Sequence, residues 1–290
     1  MSAFVTGALG QLGQDLLPLI GNDAVLTDQK ENTDLNVRAL DVTNADAVMA
    51  AITVAKPTVV YHCAAYTNVD AAEDAPEIAK AVNEAGTANV AKAAQAVGAT
   101  LVAISTDYVF DGTSGQAYTE TDMPNPQSVY GKTKLASEQV AQANCQRTHV
   151  VRSAWLYGPK KLLFPVKNFP QTMKKLAAER PELTIVNDQI GSPTFTADLA
   201  AALVTLSRSD DFGIWHITNA GQASWYDFAC EILRDEIAAG LVVSPIPSSA
   251  YPQKAKRPAH SVLDTTKFST AFGPMRTWQE ALADYSVCQK

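Results

Sequence analysis

Phe4-Val5-Thr6-Gly7-Ala8-Leu9-Gly10-Gln11-Leu12-Gly13 opens the chain with a short apolar run and three glycines at a spacing of three. The run predicts a strand and the residues from Gln11 onward a helix, which puts the glycines in the turn between them. Glycine permits a tight turn and lacks the Cβ that would hold a phosphate away from the N–H groups at the positive end of a helix. Gly7, Gly10, Gln11, Leu12 and Gly13 are therefore candidates for gripping the diphosphate of a dinucleotide. A strand, glycine turn and helix in this order predict an α/β fold, a Rossmann-like doubly wound parallel sheet.

Outward from this turn the first half keeps the same rhythm. Ala3 to Thr6, Ala24 to Thr27, Thr58 to Cys63, Leu101 to Ser105 and Thr148 to Arg152 read as strands, most without polar alternation, as expected when helices cover both faces. Val82, Gly86, Val90, Ala93 and Val97 recur at helical spacing and predict a helix that ends at Gly98. Past Gly158 the rhythm turns irregular, with Lys160-Lys161 and several prolines. We expect a dinucleotide-binding domain over 1–158, with interleaved segments around 183–219, and a smaller α/β substrate domain over 159–290, mainly 220–290. In the latter, Ser224 and Asp227 predict a capped helix with Phe228 and Ile232 on one face and Gly240 at its close, and Ser244 to Pro258 reads as a loop.

Composition narrows the function. With 290 residues, 47% hydrophobic and 18% charged, the chain has the makeup of a globular protein of about two domains. A net charge of -7 disfavours nucleic-acid binding. No apolar run approaches the ~18 residues that cross a bilayer, and the start lacks the basic region of a secretory signal, so a soluble cytoplasmic protein without a membrane partner is expected. Cys63, Cys145, Cys230 and Cys288 lack metal or redox spacing, as do His62, His149, His216 and His260.

The remaining candidates sit where predicted strands end. Asp28 lies about fifteen residues past the last glycine, where a carboxylate accepts hydrogen bonds from an adenosine ribose, although Lys30 nearby offsets repulsion of a 2′-phosphate. NADH and NADPH both stay open. Asp41 and Val42 form a corner that an adenine or a plain capped turn explains, and Ala64, Ala65, Tyr66 and Thr67 allow close approach to a nicotinamide or ribose. Tyr130 and Lys134 stand one helical turn apart, so an ammonium beside the phenol is expected to pull its pKa from ~10 toward neutrality and let Tyr130 pass a proton to a carbonyl. Thr106, after the strand Leu101 to Ser105, is placed to share that oxygen with Tyr130, or else to close an ordinary turn.

Gly7-x-x-Gly10-x-x-Gly13, Thr106 and Tyr130-x-x-x-Lys134 together resemble the extended short-chain dehydrogenase/reductase superfamily. Within it the chain is similar to the dTDP-4-dehydrorhamnose reductase family, on Ala65-Tyr66-Thr67-Asn68-Val69-Asp70, Ser105-Thr106-Asp107-Tyr108-Val109-Phe110-Asp111-Gly112, Asn187-Asp188-Gln189-x-Gly191-x-Pro193-Thr194 and Arg257-Pro258 followed by Ser261. The resemblance spans nearly the whole chain. It implies NAD(P)H-dependent reduction of the C4 ketone of dTDP-4-dehydro-L-rhamnose, the last step of dTDP-rhamnose synthesis. Tyr130 then supplies the proton, Lys134 holds the cofactor ribose, and Thr106 bonds the reacting oxygen. Asp107 and Trp155 line the sugar site, Trp155 reading equally as a core tryptophan, and Arg257 either grips the substrate diphosphate or forms a surface ion pair.

Departures qualify this reading. Asn68 stands where the family often has Ala, and Ser153-Ala154 replace Thr-Ser before Trp155. Some members dimerise through a carboxylate-held metal. Asp15 matches one ligand, but no acidic pair appears near Thr196 to Asp198, so Mg2+ gains no support and monomer and homodimer both stay open. A nucleotide-sugar epimerase or dehydratase is a rival on the same frame, although Tyr108 occupies the place of a dehydratase's extra acid. A cofactor-binding regulatory subunit, like the β subunit of methionine adenosyltransferase, is the rival from another class.

Overall fold

The computed structural model describes residues 2–158 and 167–287. Seven strands form the central sheet: β1 (Ala3–Thr6), β2 (Val25–Asp28), β3 (Val37–Ala39), β4 (Val59–His62), β5 (Thr100–Thr106), β6 (Thr148–Ser153) and β7 (Gly213–His216). They lie in the order β3-β2-β1-β4-β5-β6-β7, every neighbour parallel. This is the doubly wound sheet expected from the glycine turn, with its reversal of direction between β1 and β4. The strands β3 and β7 are additions to the sequence reading. β3 has three residues, too few to show a pattern, and β7 follows a long excursion of the chain.

Helices cover both faces, which explains the unbroken apolar strands. Val5, Tyr61, Val102 and Val151 pack with α1 (Gln11–Ile20) and the later helix Thr196–Leu206. Phe4, Val60, Leu101 and Ala103, the alternate positions, pack with α2 (Ala45–Ala55), α3 (Gly86–Val97) and Ala141 of α4 (Val129–Asn144). Burying a side chain such as Phe4 or Leu101 fully contributes ~2 kcal/mol relative to leaving it in water. In α3, Gly86, Val90 and Ala93 are buried as the spacing predicts, and Gly98 ends the helix at a φ of 70°. The helix does not run evenly back through Val82, however. Ala81–Ala85 form a π-turn between the short helix Pro76–Lys80 and α3.

The second lobe contains α5 (Phe169–Glu179) and two parallel strands, Glu182–Val186 and Val242–Ile246, around Tyr157, Phe195, Phe228, Trp278 and Tyr285. The chain then returns to the main sheet through α6 (Thr196–Leu206) and β7, and leaves again to α7 (Trp225–Ile232) and α8 (Trp278–Val287). Ser224 and Asp227 make the expected capping box on α7, but the helix breaks at Leu233, whose φ and ψ are -102° and 18°. The expected loop at Ser244 to Pro258 in fact begins inside a strand, because Val242–Ile246 needs only an edge on Glu182–Val186 and tolerates Pro245 there. Lys160, Lys161 and Cys288 lie outside the described residues. Among the described residues no helix is long and apolar enough to cross a membrane.

Candidate active site

The glycine turn is built by close contacts. Gly7 has a φ of 72°, and a Cβ there would sit 2.6 Å from the backbone nitrogen of Ala64; one on Gly13 would sit 2.2 Å from the carbonyl oxygen of Gly7. β1, the turn and the segment after β4 can touch only because those positions are glycine. Gly10 precedes α1, whose N-terminus has no side-chain cap and no acid in its first turn. The leading N–H groups of a helix lack intrahelical partners, so this uncapped positive end suits a diphosphate. Leu12 itself is buried in the core, and the Gln11 side chain turns to the other lobe, accepting from the Gly158 N–H at 2.6 Å.

Asp28 ends β2 and braces the same turn: its carboxylate accepts from the N–H groups of Leu9 at 2.9 Å and Gln29 at 2.7 Å. Asp41 accepts from the N–H and hydroxyl of Thr43, and Val42 packs into the core beside Gly86. That corner is thus a capped turn with one buried residue. Ala64, Ala65, Tyr66 and Thr67 follow β4, beside the turn, with Tyr66 held through both its N–H and its carbonyl by Asn83.

Thr106, Tyr130 and Lys134 come together at the carboxyl end of β5. Ser128 caps α4 by accepting from Gly131, and Gly131 lets the helix approach Tyr108, since a Cβ would lie 2.3 Å from the Tyr108 carbonyl oxygen. The Thr106 hydroxyl lies near enough to the Tyr130 phenol to favour its ionised form. Thr106 also donates to Asp107 at 3.0 Å and accepts from the Tyr108 N–H at 3.2 Å, so it closes the turn and meets the phenol at once. The expected lowering of the Tyr130 pKa is overturned. Burial pushes the phenol up to about 12; Thr106 offsets this in part and the Asp107 charge adds to it. Lys134 does not act on the phenol: it donates to the Ile104 carbonyl at 2.7 Å, and burial lowers its own pKa to about 8.

Asp107 is buried, accepts from Ser261 at 2.6 Å, and is raised by desolvation to about 6. Trp155 takes a left-handed φ of 49°, stacks on Trp225 with centroids 3.6 Å apart and lies against Gly191, where any Cβ would clash with the indole. Arg257 forms a two-pronged ion pair with Asp70 and also donates to Gln253 at 2.9 Å. Asp15, the carboxylate matched to a metal ligand, accepts from the Thr196 hydroxyl, while Asp198 pairs with Arg276.

Two groups escaped the sequence reading. Asn83, in the π-turn, binds Tyr66 on one side and donates to Thr133 of α4 at 3.0 Å on the other. Its signal was a polar residue in register with Thr87 and Val90 on a buried face. Glu138, one turn past Lys134, forms a fully buried pair with Arg152 at 2.7 Å and accepts from Ser105. Its i+4 position from Lys134 was the available cue.

The model of the RmlD substrate binding domain matches residues 1–287. A dTDP-4-dehydrorhamnose reductase of Streptomyces griseus is 40% identical over 287 residues, covering 97% of this chain and 91% of its own. A crystal structure of a dTDP-4-dehydrorhamnose reductase from Clostridium acetobutylicum superposes with a TM-score of 0.88 at 39% identity, covering 99% of each chain. Another, from Bacillus anthracis in complex with NADP, gives 0.86 at 35%, covering 99% of this chain and 98% of its own. Sequence and fold agree over the same length, and the chain belongs to the RmlD substrate binding domain family.

Proposed function

We propose that the protein reduces the C4 ketone of dTDP-4-dehydro-L-rhamnose to dTDP-L-rhamnose, using NADPH or NADH, in the cytoplasm and as a monomer or homodimer. The observation that carries this is the meeting of the Thr106 and Tyr130 hydroxyls at the strand ends, beside the uncapped helix of the glycine turn. The names of the Streptomyces, Clostridium and Bacillus relatives support the same substrate, and the NADP in the Bacillus structure supports the cofactor.

The bound dihydronicotinamide supplies the hydride. Gly7, Gly10 and the leading N–H groups of α1 hold its diphosphate, and Asp28 keeps their turn in shape. Tyr130 gives its proton to the oxygen that becomes a hydroxyl. A phenol held near 12 stays protonated in the resting site and gives up its proton only to a stronger base, which an alkoxide forming at C4 is. Thr106, within reach of Tyr130 and Asp107, steadies that oxygen, and Lys134, fixed by the Ile104 carbonyl, holds the cofactor ribose. Asp107 and the Trp155–Trp225 stack form the sugar side of the site.

Oxidation of NADPH and NADH is followed at 340 nm with dTDP-glucose passed through the upstream dehydratase and epimerase. Net cofactor consumption supports reduction, whereas an epimerase or dehydratase returns its cofactor unchanged and a regulatory subunit shows no turnover. Tyr130→Phe is expected to lower kcat by ~100-fold or more with cofactor affinity within about twofold. Near-normal turnover in that variant overturns the assignment of Tyr130.

A further inference from the structure

Two successive turns of α4 are tied to the end of β5, the strand that delivers Thr106. Lys134 donates to the Ile104 carbonyl at 2.7 Å, and one turn further on Glu138 accepts from the Ser105 hydroxyl at 2.5 Å. With a rise of ~1.5 Å per residue the two ties stand ~6 Å apart along the helix. A single tie lets a helix pivot about it. Two fix both its rotation and its height beside the strand, and hence the place of Tyr130, one turn before Lys134, relative to Thr106, the residue after Ser105.

Glu138 is itself held from several sides. Its carboxylate accepts from Arg152 Nε at 2.9 Å and Nη2 at 2.7 Å, and both side chains are buried. Arg152, on β6, gives a further N–H to His216 on β7 at 3.4 Å: Nδ1 of that ring faces the Tyr118 carbonyl at 3.0 Å and must carry the hydrogen, which leaves Nε2 as the acceptor. The guanidinium also lies over the Phe110 ring, 5.1 Å from its centroid. Four elements of the first lobe therefore converge on this pair. A buried ion pair gains little net stability over apolar side chains of the same volume, because desolvation cancels most of the attraction. What the fork geometry supplies is one direction for the carboxylate, with Ser105 at the end of it.

We propose that Ser105, Glu138 and Arg152 are positioning residues for the reduction: the buried pair aims the Glu138 carboxylate at Ser105, and that bond sets the spacing between Thr106 and Tyr130. This rests on the reading of Tyr130 as the proton donor. Spacing between the two hydroxyls bears on the chemical step and leaves the binding of sugar and cofactor alone.

In the full-length protein, Ser105→Ala keeps the ion pair and deletes only the tie. It is expected to lower kcat about tenfold, with KM for the nucleotide sugar and affinity for NADPH within about twofold, and Ser105→Thr, which restores a hydroxyl, to bring kcat back within about threefold of the parent. Glu138→Gln would leave Arg152 without its counter-charge in the core, so the pair is tested by joint replacement, Ser105→Ala with Glu138→Leu and Arg152→Met. That variant is expected to unfold cooperatively in urea and to be at least as slow as Ser105→Ala. A parental kcat in Ser105→Ala or in the folded triple variant overturns the proposal, and so does a raised KM at unchanged kcat. In protein carrying ring-13C tyrosine, the Tyr130 resonance, identified by its loss in Tyr130→Phe, is expected to shift in Ser105→Ala and to return in Ser105→Thr. If the unmodified protein does not turn over the sugar, the proposed function fails and this resonance alone decides: a shift that threonine reverses supports the positioning role, and an unmoved signal overturns it.

Discussion

Asp107 combines burial with two hydroxyl donors, and the competition between them can be measured. Loss of water pushes its pKa from 3.8 up to about 6, the bonds from Ser261 and Thr106 restraining the rise. Because the folded value is the higher one, the stabilising contribution is complete below 3.8 and is lost as pH rises through 6. Asp107→Asn removes this dependence, so the stability of the variant relative to the parent is expected to improve by ~3 kcal/mol between pH 4 and pH 8. Urea unfolding at the two pH values measures it, and a constant difference would mean that the carboxyl ionises as freely as in water. At this scale the shared neighbourhood of Thr106, Tyr130 and Lys134 was legible from helical spacing together with the strand that ends before Thr106. The direction of the Tyr130 shift was not, because helical spacing puts Lys134 one turn away without saying that its ammonium bonds the Ile104 carbonyl. Trp155 was visible as an aromatic but its left-handed backbone was not, since that depends on Gly191 and Trp225 meeting it from distant parts of the chain.

The π-turn at Ala81–Ala85 shows what periodicity misses in an element. The apolar positions from Gly86 onward read correctly as a helix face, and Ser224 with Asp227 read correctly as a cap. One extra residue in a turn leaves the apolar spacing nearly intact, so Val82 still matched and Asn83 went unseen. Its amide joins the Tyr66 backbone to Thr133 on the helix that carries Tyr130, which couples the cofactor side of the site to the catalytic side. Asn83→Ala leaves the Tyr66 N–H and carbonyl without their partners and is expected to cost ~2–3 kcal/mol of stability. The loop from Ala64 to Thr67 is then less fixed, and we expect NADPH to bind about tenfold more weakly, as read by fluorescence titration. Unchanged affinity with the same loss of stability would show that Asn83 serves the fold alone.

The doubly wound parallel sheet followed from the glycine turn, and burial on both faces marked five of the strands. The return of α6 and β7 to the sheet was not legible in detail, since local pattern carries no information on which lobe a segment joins. The sheet and its neighbours also bury histidines in neutral form: burial holds His62, which bridges Thr6 and Thr87, and His216 down to about 3. Here the folded values are lowered, so the contribution is present above 6.5 and fades as pH falls toward 3. At pH 4 each is expected to cost ~3 kcal/mol, and the Asp107 gain of similar size offsets only one of them. The urea midpoint should therefore drop between pH 7 and pH 4; an unchanged midpoint would mean that these imidazoles protonate without opening the structure.

Strands β5 to β7 each join the sheet beside the strand made before them, so a chain emerging from the ribosome can extend this half of its sheet in the order of synthesis. The catalytic corner cannot follow the same schedule. Ser261 reaches back across the molecule to Asp107, and Asp70 waits for Arg257. A polypeptide cut short before Gln253 keeps the glycine turn and all seven strands of the central sheet, yet lacks the serine on Asp107 and the guanidinium on Asp70. Translation thus finishes the nucleotide cradle early and arms the reaction centre late, which separates folding from competence in time.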